Sequence, residues 1–345
     1  MIRISLVTRG SPDELTGGHL YHRHLLDAAD AHGAAVERVT AGRFRNPLRA
    51  ARDVVVVDSL TAWSVLPWVL FGAGRQRPLA AIVHQPPGGV DHGRIRTALQ
   101  GPLDRAFYRR CQLVITTSET FARDLVERWH LRTERIVVVE PGCDLPGDPS
   151  PVDDDLRRGR RIAVLCVANW WPNKGVLELL ESVASLPPGH VTLHLAGRED
   201  VDPGYGARVH RRLRAADLAA RVVLHGSLTP IELGRLYAGA DVFALASRAE
   251  TYGIVFAEAL AAGLPIVGWR NGNLPHLIED GREGCLVSAG DVEGLARALD
   301  RLATDDTWRD ELSAAARRRG LCLPTWSDTA DGFFGALRAL TESHG

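Results

Sequence analysis

Lysine is almost missing from this sequence: of 41 lysines and arginines, only Lys174 is a lysine. Where an ammonium stands alone among guanidiniums, the position asks for a compact charge on a flexible stem rather than a planar fork. Long apolar runs are missing too. The longest, TAWSVLPWVLFGAG, is interrupted by Pro67 and falls short of the roughly 20 residues that span a bilayer. A core helix is the favoured reading of this run over a peripheral membrane contact. No excess of one charge is present, since 41 basic face 42 acidic side chains, which argues against a nucleic-acid partner held by a basic face. Cysteine is sparse, and Cys111, Cys143, Cys166, Cys285 and Cys322 contain no C-x-x-C pair. Such a scattered, odd-numbered set reads as buried reduced thiols in a cytoplasmic protein, neither disulfides nor metal ligands. The opening MIRISLVT alternates apolar and polar residues, which reads as a strand and not a signal sequence.

What is present is a repeating alternation. Eleven short apolar runs, from IRISLVT and DVVVVDS to LPIVGW and GCLVS, are separated by amphipathic segments such as ETFARDLVERWH. Runs of this kind are parallel strands covered on both faces, and the alternation predicts doubly wound α/β sheets. At 345 residues the chain exceeds one ordinary core, so two domains are expected. The segment 146–161, rich in Pro and charge, marks the break. The expected division is 1–150, 151–325 and a terminal helix over 326–345 packing back toward the first domain. The acidic triplet Asp153–Asp155 lies in that linker and reads as solvated loop.

Ligands of open parallel sheets bind beyond the carboxyl ends of strands, and the strongest such end is ASRAETYGIVFAEALAAGLPIV. A strand over 241–246 runs into a loop carrying Glu250, and a helix starting near Gly253 carries Glu258. The first N–H groups of that helix, at Gly253, Ile254 and Val255, form an anion site aided by the helix dipole. Eight residues of mostly helical rise separate the two carboxylates by roughly 10–12 Å, too far for the roughly 5–9.5 Å pairs of glycosidases. The spacing instead suits two hydroxyl-rich groups on either side of a diphosphate, which describes a nucleotide sugar.

The E-x7-E pattern, followed by ALAAGLPIVG and NLPHLIEDGREGCLVSAGD, resembles the retaining family-4 glycosyltransferases of the GT-B fold. That resemblance implies two Rossmann-like domains facing each other across a cleft that closes over the substrates. It places Glu258 on the donor ribose and Glu250 on the donor sugar. The backbone around Gly253, Ile254 and Val255 would meet sugar and distal phosphate, with Thr251 and Tyr252 also donor contacts. Lys174 would neutralise the departing diphosphate, with no metal and no cofactor beyond the nucleotide-diphosphate sugar itself. Gly17 and Gly18 match the glycine turn near the donor phosphate, and His84, at the end of AIVHQPPGG, matches a histidine near the donor sugar. One position departs from the pattern: five residues before Lys174, where the family has arginine, stands Asn169. Arg248 and Arg270 are candidates to supply the missing cation. His19, His22 and His24 suggest a metal, but no acidic or cysteine partner is evident in the sequence, and no metal is expected. The implied reaction is front-face transfer of the sugar to an acceptor hydroxyl with retention. The acceptor stays open among small molecules, polysaccharides and lipids. A catalytically weak nucleotide-sugar-binding protein, a sugar phosphorylase or an epimerase of the same fold are the alternatives.

Overall fold

Eleven apolar runs lead to an expectation of eleven strands, and the described residues hold twelve. The computed structural model describes residues 1–9, 17–40, 53–71, 77–90, 94–143 and 155–343. Asp153, Asp154 and the last three residues of the TAWSVLPWVLFGAG run, 72–74, lie outside the described residues. The chain divides into unit 1, Met1–Gly142 with Pro324–Gly345, and unit 2, Cys143–Leu323.

Unit 1 carries β1 (Ile2–Thr8), β2 (Ala34–Thr40), β3 (Val54–Asp58), β4 (Leu79–Val83), β5 (Leu113–Thr116) and β6 (Ile136–Val138). They form one parallel sheet in the order β2-β1-β3-β4-β5-β6. The strand absent from the sequence expectation is β2. It lies at the sheet edge, half-exposed, and its Glu37 and Arg38 break the apolar run that marks an interior strand.

Alternation along the interior strands sorts side chains between two cores. Val54 and Val56 pack with Ile4, Leu6, Ile82 and Tyr21 on one face. Val55 and Val57 pack with Val83, Val65, Leu66 and Phe107 on the other. The helix Ala62–Leu70 buries Ala62, Val65 and Leu66 and exposes Leu70 at its end.

The first face is completed from the far end of the sequence. The helix Trp326–Glu342 starts in a capping box between Thr325 and Asp328 and buries Phe333, Phe334, Leu337 and Leu340 against this face. His24 stacks on Trp326 with ring centres 4.0 Å apart, and the Thr329 hydroxyl donates to the Glu140 carbonyl at 2.8 Å.

Unit 2 carries β7 (Ile162–Val167), β8 (Val191–Ala196), β9 (Val222–Gly226), β10 (Val242–Leu245), β11 (Ile266–Trp269) and β12 (Gly284–Val287). Their parallel order is β12-β11-β10-β7-β8-β9. Cys166 is buried in this sheet, and Cys111 is buried in the core of unit 1 just before β5, both as thiols. Cys322 is exposed, contrary to the expectation of uniform burial. It sits in a turn after a helix whose outer side faces water. Among the described residues no helix is long and apolar enough to cross a membrane.

A chain ending at Leu323 removes Phe333, Phe334, Leu337 and Leu340 from the core of unit 1. We expect this truncation to bind a hydrophobic dye and lose near-ultraviolet circular dichroism, because the helix Gly17–Ala28, with Tyr21 and Leu25, covers only part of the stripped sheet face. An unchanged dye response and melting curve would refute the role given to this helix.

Candidate active site

In unit 2 the strand order reverses between β7 and β10, the point where open parallel sheets bind ligands. The chain leaving β7 runs through Asn169 to Lys174, and the chain leaving β10 runs through Ser247 to Gly253. Gly175 brings the two loops together. It has φ +65°, and a Cβ there would lie 2.1 Å from the Ala246 carbonyl oxygen, so only glycine permits the approach. Beside it, Arg248 N–H donates to Asn173 O at 2.7 Å. From the other side, Asn273 N–H donates to Glu250 O at 3.0 Å, and its buried amide donates to Tyr252 O at 3.1 Å.

This frame sets Lys174 against Glu250. Nζ lies 2.6 Å from Oε1, and both side chains are largely covered, at 24% and 13% exposure. Lys174 itself ends a short turn, Pro172–Lys174. Gly253, with φ +93°, then opens the helix Ile254–Ala262 with no side-chain cap. The first amides of that helix have no intrahelical acceptor and follow shortly after Glu250 in sequence. Glu258 follows on the same helix, where Tyr237 donates to its Oε2 at 2.8 Å. Burial pushes the Glu258 carboxyl up to about 7, and the Tyr237 hydrogen bond offsets only part of that rise.

The structure corrects several expectations. Tyr252 is 2% exposed and belongs to the hydrophobic core, so only its backbone remains to meet a ligand. Asn169 Oδ1 accepts from the Arg198 N–H at 2.9 Å and thereby ties the turn after β7 to the turn after β8. Arg248 is paired with Glu178 and lies over the Trp269 ring, and Arg270 is paired with Asp280 at 2.7 Å. Both guanidiniums already have carboxylate partners.

In unit 1 the order reverses between β1 and β3. Asp58 is the last residue of β3, His84 follows the last residue of β4, and the helix Gly17–Ala28 supplies Gly18 and His22. His22 Nε2 lies 3.0 Å from Asp58 Oδ2 and 3.3 Å from His84 Nε2. A Cβ on Gly18 would sit 3.3 Å from His84 Cδ2, so this glycine admits the imidazole. The remaining histidines of the trio go elsewhere: His19 Nε2 lies 3.2 Å from Arg9 O, and His24 stacks on Trp326. The expectation that His22 has no acidic partner is therefore wrong, because the sheet brings Asp58 to it from 36 residues away. Burial would raise the Asp58 carboxyl. The His22 contact, the charges of His22 and His84, and the Leu60 N–H together bring it down to about 2. Burial pushes the His84 imidazole down to about 4.

The ligating atoms of His22, Asp58 and His84 lie within 4.8 Å of one another, a spacing that a divalent ion can use. His22 Nδ1, however, is buried without a hydrogen-bond partner. Metal-bound imidazoles almost always donate that second N–H to an acceptor. The cluster fits a hydrogen-bonded group better than a metal site.

Comparison with known proteins places these two units. Residues 2–146 match the family described as Glycosyltransferase Family 4, and residues 161–305 match Glycosyl transferases group 1. The chain belongs to the family-4 glycosyltransferases. Among curated members, a D-inositol 3-phosphate glycosyltransferase of Nocardioides sp. is 31% identical over 63% of this chain and 51% of its own length. A mannosylfructose-phosphate synthase of Agrobacterium fabrum is 29% identical over 68% of this chain and 54% of its own length. The chain thus spans about half the length of the curated relatives it matches. Among solved structures, the sucrose-phosphate synthase of Thermosynechococcus elongatus superimposes with a TM-score of 0.84 at 22% identity, covering 99% of this chain and 100% of that one. Anabaena HepE in complex with UDP and glucose gives 0.79 at 18% identity, covering 98% and 100%. These likenesses, with the two six-stranded parallel sheets, show the GT-B fold.

The position of Glu258 carries a measurable consequence. Its folded carboxyl holds a proton up to about pH 7, whereas an unfolded glutamate releases it near 4.3. Stability therefore falls as pH rises across that window and levels off above it. We expect Glu258→Gln, which stays neutral, to abolish this fall and to melt higher than the parent at pH 8. Parallel melting temperatures of the two proteins from pH 5 to 8 would contradict the assignment.

Proposed function

We propose that this chain is a retaining glycosyltransferase that moves a sugar from a nucleotide-diphosphate donor to an acceptor hydroxyl without a metal ion. The observation that carries this reading is the Lys174–Glu250 pair at the strand reversal of unit 2, beside an uncapped helix start. A lone ammonium next to unsatisfied amides is built to receive an anion, and here a carboxylate of the same protein occupies it. The fold shared with Anabaena HepE, whose structures hold UDP, or UDP-glucose, supports a uridine-diphosphate sugar as donor.

On this reading the diphosphate takes the place of Glu250 beside Lys174 Nζ, and the amides of Gly253, Ile254 and Val255 meet its distal oxygens. Glu250, released, accepts hydrogen bonds from sugar hydroxyls, and Glu258 in its ionised form accepts them from the ribose. Thr251 and the Tyr252 backbone line the same turn. On the family resemblance, His84 is assigned to the transferred sugar and the backbone at Gly17 and Gly18 to the donor phosphate. The bond from the sugar's anomeric carbon to the phosphate oxygen breaks, and a bond from that carbon to the acceptor oxygen forms on the same face. The acceptor proton passes to the departing phosphate oxygen. Lys174 and the helix amides stabilise the charge that grows on the leaving group, and the remaining residues hold the reactants in register.

Calorimetric titration with UDP-glucose tests the assignment. Lys174→Ala and Glu258→Ala, each compared with the parent after circular dichroism has shown it folded, are expected to weaken binding by roughly ten- to a hundredfold, the worth of one or two charge-assisted hydrogen bonds. Parental affinity in either variant would refute it. Turnover is also expected to survive excess EDTA unchanged, and loss of activity on chelation would overturn the metal-free mechanism.

A further inference from the structure

The three-residue cluster in unit 1 holds more information than its most familiar member, His84. Two Nε2 atoms 3.3 Å apart in hydrogen-bond geometry share a single proton. Which ring carries it is settled by the third group. Asp58 Oδ2 stands 3.0 Å from His22 Nε2, and Asp58 is 1% exposed, with its Oδ1 already accepting from Leu60 N–H at 2.6 Å and Ser59 Oγ–H at 3.3 Å. If the proton were on His84, the bare lone pair of His22 Nε2 would face a buried carboxylate oxygen, and the two would repel. With the proton on His22 Nε2, the positive end of that N–H lies beside Oδ2 while it donates to His84.

A second observation agrees independently. His22 Nδ1 is buried without a partner, so a proton placed there would be an orphaned donor, the costlier kind of unsatisfied group. His22 therefore carries its proton on Nε2 alone. His84 Nε2 is left as the acceptor.

We propose that Asp58 and His22 are positioning residues that act through His84, holding it as the tautomer protonated on Nδ1 with Nε2 engaged. Gly18 closes the third side of the ring, and Tyr21 lies edge-on to it with ring centres 5.1 Å apart. The imidazole is thus fixed in tautomer, orientation and rotation. This inference rests on the reading of His84 as a residue addressing the sugar, and its first test does not require that reading.

Two-bond nitrogen–proton spectra of the full chain labelled at histidine, with His84 assigned from His84→Gln, report the tautomer directly. The expected pattern has His84 protonated at Nδ1 and His22 at Nε2. Asp58→Asn, which presents an amide N–H where the carboxylate stood, is expected to shift the His84 pattern toward Nε2 protonation. A parental His84 carrying its proton on Nε2 would overturn the proposal whatever the activity. So would one equivalent of zinc retained through dialysis, with the His22 and His84 signals moving together, since the cluster would then be a metal site. The second test measures UDP release from UDP-glucose. His22→Phe keeps the shape but not the donor and should lower kcat by roughly tenfold or more, with KM for UDP-glucose nearly unchanged. His22→Gln, whose amide can donate to His84, should recover most of the loss. The expected tautomer together with full turnover in His22→Phe would leave the hydrogen bonding standing and remove His84 from the reaction.

Discussion

One ion pair organises the strand-reversal site of unit 2. Lys174 and Glu250 meet because Gly175 lets the loop after β7 pass against the carbonyl of Ala246, and no residue with a side chain permits that distance. The pair is largely shielded from water, so its attraction is screened less than that of a surface pair. In the absence of ligand it supplies the lysine with a counter-charge and the glutamate with a donor. On the proposed reading, diphosphate enters by exchange rather than by filling a vacancy: one negative group gives way to a more highly charged one. This protects against indiscriminate capture of weak anions, which carry too little charge to displace a carboxylate already in place.

Glu258 shows the opposite economy. A carboxyl held near pH 7 by burial is a poor choice for stability, and an amide or an apolar residue would sit there with less strain. Its retention is understandable if a ligand with vicinal hydroxyls completes its solvation. Asp58 is buried as well, but one backbone N–H, one hydroxyl and a histidine support its charge and hold it ionised. Two of the acids the structure singles out are therefore placed where packing alone would not put them.

Much of this was legible in the sequence, and the exceptions have definite causes. Interior strands announce themselves by β-branched runs, and β2 escaped because an edge strand needs only one covered side and can carry Glu37 and Arg38. Lys174, Glu250 and Glu258 stood out through their rarity and spacing, since both loops follow strands directly. Asp58 did not stand out, although it closes the VVVVD run at the end of β3. Its partnership with His22 depends on which strands lie side by side, and a linear pattern does not contain that order. Tyr252 was read as a ligand contact because it lies within the right loop, yet its side chain turns inward to the core. Asn169 was read as a lost cation, and its amide instead ties two strand-end turns together through Arg198.

The terminal helix has a consequence for how the protein is made. Unit 1 is assembled from the first 142 residues and from a segment beginning at Pro324, with all of unit 2 translated in between. At elongation rates of roughly 5–20 residues per second, the sheet face that awaits Phe333, Phe334, Leu337 and Leu340 waits on the order of ten to forty seconds for them on the ribosome. During biosynthesis, of these two units, the one whose translation starts earlier is thus the one completed later.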